Sequence, residues 1–323
     1  MKKKILVLHT GGTISMHANE AGQVTTDITN PMTTITPTID GVDLVVEDFL
    51  NLPSPHINFN HMLQMKKRLE EAQKDDEIAG VVITHGTDTL EETAFFLDST
   101  LERGKPIVIT GAMRSSNELA SDGVYNFLSA IRVASNDKSK NRGVLVAMND
   151  EIHSARYVTK THTTNVSTFK TPSHGPLGLL SKNDIIYFQN DQKAPHLDVE
   201  KMDGQVPIIK AHAGMTGYLF DLINTDDIDG LVIEALGAGN LPPQAAESLE
   251  RILRANVPVV LVSRCFNGIA EPVYGYPGGG VNLHNDGVLF SQEINSQKAR
   301  IKLLMALNAN LQGQEFIDYI ENK

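Results

Sequence analysis

The chain has 323 residues, 41% of them hydrophobic and 21% charged, with a formal net charge of −11. Roughly 150 residues per domain suggests two domains, the apolar content suffices for sizeable cores, and the acidic balance argues against a nucleic-acid surface. A single cysteine, Cys265, excludes an intrachain disulfide framework and a cysteine-rich zinc site. No stretch reaches the ~20 apolar residues of a membrane span, and the apolar run after Lys2-Lys3-Lys4 is too short for a signal peptide. A cytoplasmic protein without membrane contact is expected.

Ile5-Leu6-Val7-Leu8 reads as a strand buried on both faces, as parallel strands are. It ends in His9-Thr10-Gly11-Gly12-Thr13-Ile14. Paired glycines permit a tight turn and close approach of backbone to a ligand. They also leave N–H groups for an anion or a developing oxyanion, and Thr13 is presented on that turn. The G-x-G-x-x-G spacing of a dinucleotide site is absent. Residues 15–40 are polar and aperiodic, which suggests a mobile loop or lid. A second strand follows at 43–49, then Leu52-Pro53-Ser54-Pro55-His56, where two prolines make a rigid turn around Ser54. Residues 61–73 form an amphipathic helix whose Met62, Met65, Leu69 and Ala72 face a core.

Val81-Val82-Ile83-Thr84 is the next buried strand, and it breaks into the polar turn His85-Gly86-Thr87-Asp88. A helix follows at once, with Thr89 and Glu92 at capping-box spacing. A hydroxyl, a carboxylate and an imidazole thus stand where a strand's carboxyl end meets a helix N-terminus, the edge at which open α/β sheets bind ligands. Taken alone, Thr87 and Asp88 serve equally well as strand terminator and helix cap. Strand, helix, strand then continue at 106–110, about 122–133 and 143–147. This alternation is a doubly wound, mostly parallel α/β sheet.

From 152 to 169 the pattern turns to a Thr-rich β-ribbon or irregular extended segment carrying Lys160. A lysine there is by itself an ordinary solvated residue. A last strand at 185–188 closes an N-terminal domain of residues 1–188, and polar residues 189–206 read as a linker. A smaller C-terminal α/β domain, 207–323, holds strands at 208–209, 231–233 and 257–262. It also holds a short helix at 216–223, a helix at 243–254 with Glu247/Arg251 and Glu250/Arg254 pairs, and a closing helix at about 296–307. Gly237-Ala238-Gly239-Asn240 ends one of its strands, and 272–280, with Tyr274 and Tyr276, reads as an exposed flexible loop.

No Cys/His metal spacing, G-x-S-x-G elbow or Walker loop is present, so no metal is expected. What remains is a hydroxyl-rich site with a carboxylate and a lysine. A threonine hydroxyl is a weak nucleophile until a base takes its proton. A neutral lysine oriented by an aspartate and a second threonine suits that task. Such a set fits attack on an amide or ester carbonyl.

The segments His9–Ile14 and Val82–Thr93 resemble the two signature motifs of bacterial-type L-asparaginases. The resemblance continues through Gly111-Ala112-Met113-Arg114, Val158-Thr159-Lys160-Thr161, Phe169-Lys170, Gly175-Pro176-Leu177-Gly178 and Gly239-Asn240-Leu241, in order along nearly the whole chain. It implies a large N-terminal α/β domain, a linker and a smaller C-terminal one. It implies cofactor-free hydrolysis of L-asparagine to L-aspartate and ammonia, with weak glutaminase activity open. By motif, Thr13 becomes the nucleophile that forms an acyl-enzyme, with Gly12 beside it. Thr87, Asp88 and Lys160 become a second hydroxyl–carboxylate–lysine set, Asp88 also gripping the substrate ammonium. Ser54 binds the α-carboxylate, and Asn240 approaches a neighbouring subunit's site in a homodimer or homotetramer. His85 is left as a structural turn residue.

Three positions depart from the family pattern. No tyrosine precedes Tyr125, although members often carry one in the lid; Gln23 or Thr26 falls in its place, and Tyr274 or Tyr276 of a partner subunit is the expected substitute. Pro55 stands where a hydrogen-bonding side chain often meets the substrate amine. The family's partner-subunit glutamate has no secure match, and Glu271 is the one candidate for it. A tRNA-dependent amidotransferase subunit shares the motifs, but the acidic balance gives no sign of tRNA contact. A non-catalytic amino-acid sensor would not need two threonines and a lysine together.

Overall fold

The computed structural model describes residues 2–26, 30–34, 39–190 and 195–323, apart from the side chains of 26, 33 and 34. The chain divides into two compact units, Met1–His196 and Leu197–Lys323.

In the first unit, β1 (Lys3–His9) leads through a small antiparallel hairpin, β2 (Met16–Ala18) and β3 (Val24–Thr26), to the edge strand β4 (Val42–Asp48). The hairpin occupies part of the stretch expected to be a lid; residues 27–29 and 35–38 of that stretch lie outside the described residues. Next come α1 (Phe59–Lys74), β5 (Ile78–Thr84), α2 (Leu90–Thr100), β6 (Ile107–Thr110), α3 (Gly123–Ala134) and β7 (Val144–Met148). These strands run parallel in the order β4-β1-β5-β6-β7. The chain moves outward from β1 to β4, then crosses back to β5, so the switch point of the sheet lies between β1 and β5. Both motif turns leave the sheet there.

Alternation along the strands sorts the core into two layers. Ile5, Val7, Val82, Val108, Leu145 and Ala147 share one buried cluster with Phe127, Ala130, Ile131 and Ala134 of α3. Their neighbours Leu6, Leu8, Val81, Ile83 and Ile109 are equally buried and point to the other face, where α1 and α2 pack together. Ten of the eleven α2 residues are buried, so this helix is held by packing on all sides rather than along one stripe. Burial of Phe96 alone contributes about 2–3 kcal/mol.

The helix starts differ from their sequence patterns. The Thr89–Glu92 capping box is not formed, because Thr89 donates its hydroxyl to the Ser54 carbonyl at 2.9 Å instead. The capping box that does form belongs to α1, between Asn58 and His61, which moves that helix two residues earlier than expected.

The expected ribbon at 152–169 also resolves differently. The strand β8 (Glu151–Ser154) joins the main sheet antiparallel to β7. Only β9 (Thr159–Lys160) and β10 (Phe169–Lys170) form a separate two-stranded ribbon. Two more antiparallel strands, β11 (Gly178–Leu180) and β12 (Ile185–Tyr187), finish the eight-stranded sheet. The short apolar Leu179-Leu180 run gave β11 no alternation from which to be read. Of the stretch read as a linker, residues 191–194 lie outside the described residues.

The second unit is a four-stranded parallel sheet, β13 (Ile208–Lys210), β14 (Leu231–Ala235), β15 (Val259–Ser263) and β16 (Leu289–Phe290), in that order. The short helix α4 (Tyr218–Asp221) and α5 (Pro243–Arg254) cover one face, around Phe220, Ile233, Leu249, Ile252 and Leu261. α6 (Gly280–Asn285) precedes β16, α7 (Ser296–Asn308) packs on β14 and β15, and α8 (Gly313–Glu321) packs on α7 and β16. The helix at 296–308 is therefore not the closing one. Glu250 and Arg254 form the expected ion pair, but Arg251 donates to the Phe220 and Ile223 carbonyls, both at 2.7 Å. The loop at 272–280 exposes Tyr274 and Tyr276 but buries Gly278, Gly279 and Gly280.

Candidate active site

At the switch point the ends of β1 and β5 are tied together. Buried His9 shares a 2.8 Å hydrogen bond between Nδ1 and Thr84 Oγ1. The Thr10 N–H and hydroxyl both donate to the Thr84 carbonyl, at 3.0 and 2.8 Å. Burial lowers the His9 pKa to about 4, against a weaker upward pull from Asp48.

Beyond these ties, Gly11 and Gly12 take positive φ values of 98° and 85°, a region that side chains avoid. A Cβ on Gly12 would lie 2.2 Å from Gly86 Cα, and one on Gly86 would lie 2.8 Å from Ser54 Cβ and Oγ. Backbone therefore packs on backbone, and the turns after β1, β4 and β5 become one block. Its hydrogen bonds finish the job: Gly12 N–H to the Leu52 carbonyl (3.0 Å), Leu52 N–H to the Thr10 carbonyl (3.1 Å) and Asp88 N–H to Ser54 Oγ (3.1 Å). The Gly12 N–H is thus committed to Leu52, not free for an oxyanion as the glycine pair suggests. Ser54 itself is buried at the head of a one-turn 3-10 helix, Ser54–His56.

Thr13 heads a second one-turn 3-10 helix, Thr13–Ser15, half-buried on this block. Thr87 is buried, whereas the Asp88 side chain is 61% exposed. Lys160 reaches both from β9, its Nζ 3.0 Å from Thr87 Oγ1 and 2.7 Å from Asp88 Oδ1. Hydroxyl, amine and carboxylate are therefore linked in one chain, with the apolar stem of Lys160 largely covered. His85 sits beneath them, fully buried, and burial lowers its pKa to about 4. Its Nδ1 lies 2.8 Å from the Gly86 carbonyl and its Nε2 2.9 Å from Thr93 Oγ1. A carbonyl can only accept, so Nδ1 carries the proton and Nε2 accepts from Thr93. At neutral pH His85 is a neutral brace for the turn.

Several side chains of this neighbourhood have no role predicted from the sequence. Buried Glu91, in the first turn of α2, accepts from the Thr159 hydroxyl (3.0 Å) and from the Lys160 N–H (3.3 Å). Lys170, on the other strand of the ribbon, pairs with Glu151 (2.7 Å), and Thr171, the residue after it, with buried His153 (2.8 Å). The signal was present in Glu91 and Thr159 as motif residues, but sequence gives no distance between them.

The remaining expected residues belong to other places. Asn240 lies in the second unit, where its Oδ1 accepts from Gly280 N–H at 3.1 Å. The Tyr274 and Tyr276 rings lie 5.5 Å apart there, both about half exposed, and Glu271 is exposed. Gln23 turns back on Asn19 within the hairpin; the Thr26 side chain lies outside the described residues. Pro55 is exposed beside Ser54. Among the described residues no group of three His, Cys, Asp or Glu could hold a metal ion, and no helix is long and apolar enough to cross a membrane.

Residues 4–193 match the family model for the asparaginase N-terminal domain, and residues 205–319 match that for the glutaminase/asparaginase C-terminal domain. The chain is 40% identical to the probable L-asparaginase of Deinococcus radiodurans over 311 residues, covering 94% of this chain and 93% of that protein. It is 33% identical to the L-asparaginase of Bacillus licheniformis, covering 97% and 98%. Its structure superimposes on the crystal structure of a probable cytoplasmic L-asparaginase from Campylobacter jejuni with a TM-score of 0.87, at 32% identity and 99% coverage of both chains. Matched along both of its units, the chain belongs to the asparaginase family of hydrolases.

Proposed function

We propose that this chain hydrolyses L-asparagine to L-aspartate and ammonia through a threonine acyl-enzyme. The observation that carries the reading is the Lys160 amine bridging Thr87 Oγ1 and Asp88 Oδ1 at 3.0 and 2.7 Å, beside the glycine turn that presents Thr13. In the first step Thr13 Oγ attacks the side-chain carboxamide carbon. The hydroxyl proton passes to the departing nitrogen, and ammonia leaves as the ester forms. Lys160, held by Asp88 and bonded to the Thr87 hydroxyl, is the base of the set and passes the proton on. Water then attacks the ester, regenerating the Thr13 hydroxyl and releasing aspartate.

Ser54 and Asp88 form the binding end. The Ser54 hydroxyl, already fixed against Asp88 N–H, takes the substrate α-carboxylate. The Asp88 carboxylate takes the α-ammonium with the oxygen that Lys160 does not hold. Glutamine is longer by one methylene, worth only about 1–3 kcal/mol of discrimination, so weak glutaminase activity belongs to the same reading. Asn240, on the second unit, serves a site completed between subunits of a homo-oligomer. A cytoplasmic location is supported by the likeness to the Campylobacter jejuni protein, although one relative from Haemophilus influenzae is a probable periplasmic L-asparaginase.

The test is ammonia release from asparagine and glutamine, side by side, by the wild type and Thr13→Ala. Asparagine turnover by the wild type and its loss in Thr13→Ala are expected. A wild type that releases no ammonia from asparagine overturns the reading.

A further inference from the structure

We propose that Glu91 is a positioning residue for Lys160, fixing the main chain of the lysine while Thr87 and Asp88 fix its amine. The inference rests on the catalytic reading of Lys160 given above. The strand that carries Lys160 is two residues long and pairs with only two residues of β10. A ribbon so short is marginal by itself and must be held from outside. β10 and the residue after it have their own ties, Lys170 to Glu151 and Thr171 to His153. For β9, Glu91 Oε1 receives both the Thr159 hydroxyl and the Lys160 N–H.

The topology makes this arrangement a two-point clamp. Thr87 and Asp88 stand just before α2, and Glu91 stands in its first turn. One rigid helix start therefore holds the lysine at both ends, its N–H through Glu91 and its Nζ through Thr87 and Asp88. A carboxylate that only complemented the helix dipole could stay in water, as first-turn acids usually do. Glu91 is 4% exposed, and burying a carboxylate is unfavourable unless donors are supplied. Here two of the donors come from the lysine strand. A lysine has four rotatable side-chain bonds, so its amine stays on the Thr87 hydroxyl as one preferred geometry only while the backbone that carries it is also fixed.

The variants are Glu91→Ala, Glu91→Gln and Thr159→Val, assayed for asparagine turnover and for binding of L-aspartate. In Glu91→Ala, kcat is expected to fall about 10- to 100-fold, as for a catalytic group displaced by about 1 Å, while KM and aspartate binding change by less than about threefold. Glu91→Gln keeps a carbonyl oxygen for both donors, so it returns to within about fivefold of wild type. Thr159→Val lowers kcat about threefold or more and adds nothing to Glu91→Ala, as expected for members of one contact. The proposal is overturned if kcat of Glu91→Ala stays near that of wild type, or if KM and aspartate binding worsen as much as kcat. If Glu91→Ala does not fold, wild-type kcat in Thr159→Val overturns it. A crystal structure of Glu91→Ala, or of Glu91→Gln with Thr159→Val where the alanine variant does not fold, separates this from the parent reading. A Lys160 amine still bonded to Thr87 there refutes the clamp whether or not the wild type turns asparagine over.

Discussion

Both units are built on parallel strands that end in glycine and small polar residues, yet those ends are used differently. In the second unit loop side chains are committed to the backbone of neighbouring loops. Asn240 accepts from Gly280 N–H, Ser263 donates to the Gly237 carbonyl, and Arg264 reaches back to the Ala211 carbonyl. In the first unit, glycine packing and main-chain bonds, helped by the Ser54 and Thr89 hydroxyls, hold the loops together, and Thr87, Asp88 and Lys160 bond to one another. Where glycine backbone does most of the closing, polar side chains are left to bond to one another.

The largest effect should come from replacing one of these side chains. Lys160→Met is expected to lower asparagine turnover about 10³-fold, the range of a lost general base. Asn240→Ala, its counterpart among committed side chains, should cost less than about tenfold in kcat. Equal losses in a steady-state assay would break the contrast.

Stability should separate the glycine turns next. Gly12→Ala meets Gly86 backbone at 2.2 Å with φ at 85°, and should destabilise by about 3 kcal/mol or more. Gly237→Ala meets nothing nearer than 3.9 Å at φ 52°, and should destabilise by about 1 kcal/mol. Urea midpoints of the two variants compare them directly.

Acid should act through the first unit's sheet ends. His9 and His85 have pKa values of about 4 in the fold, against 6.5 for the free group. The unfolded chain takes up protons first, so their stabilisation is complete above pH 6.5 and is lost as pH falls through about 4. The loss is on the order of 3 kcal/mol for each. Denaturant titrations at pH 7 and pH 4.5 should show it, with a shallower decline in His9→Asn; a flat profile would refute it.

The smallest contrast lies within α5. Arg251→Met should cost about 1–2 kcal/mol, because two carbonyl bonds are lost. Arg254→Met loses only an exposed ion pair and should cost under about 0.5 kcal/mol. Thermal melts showing equal effects would make the two arginines equivalent, as their i,i+4 spacings suggest.

The doubly wound sheet was legible because its strands are unbroken apolar runs, such as Ile5–Leu8 and Val81–Ile83, each ending in a polar turn. β11 and α8 were not: three residues carry no period, and α8 follows a helix already taken as the end. The Thr89–Glu92 spacing pointed to a cap that Ser54 takes away, since a carbonyl brought close by tertiary packing competes for the same hydroxyl.

By itself the sequence determined the alternation of strands and helices, the glycine turn before Thr13, and the residue types of the site. These are local properties, set by periodicity, backbone freedom and side-chain chemistry. Only the tertiary structure decided that the switch point falls between β1 and β5, that Gly12 touches Gly86, and that Lys160 spans 72 residues to reach Asp88. It alone made Glu91 a partner of the lysine strand. Those contacts depend on the order in which parallel strands are laid down and on how closely backbones can approach, and neither is written in any single stretch of the chain.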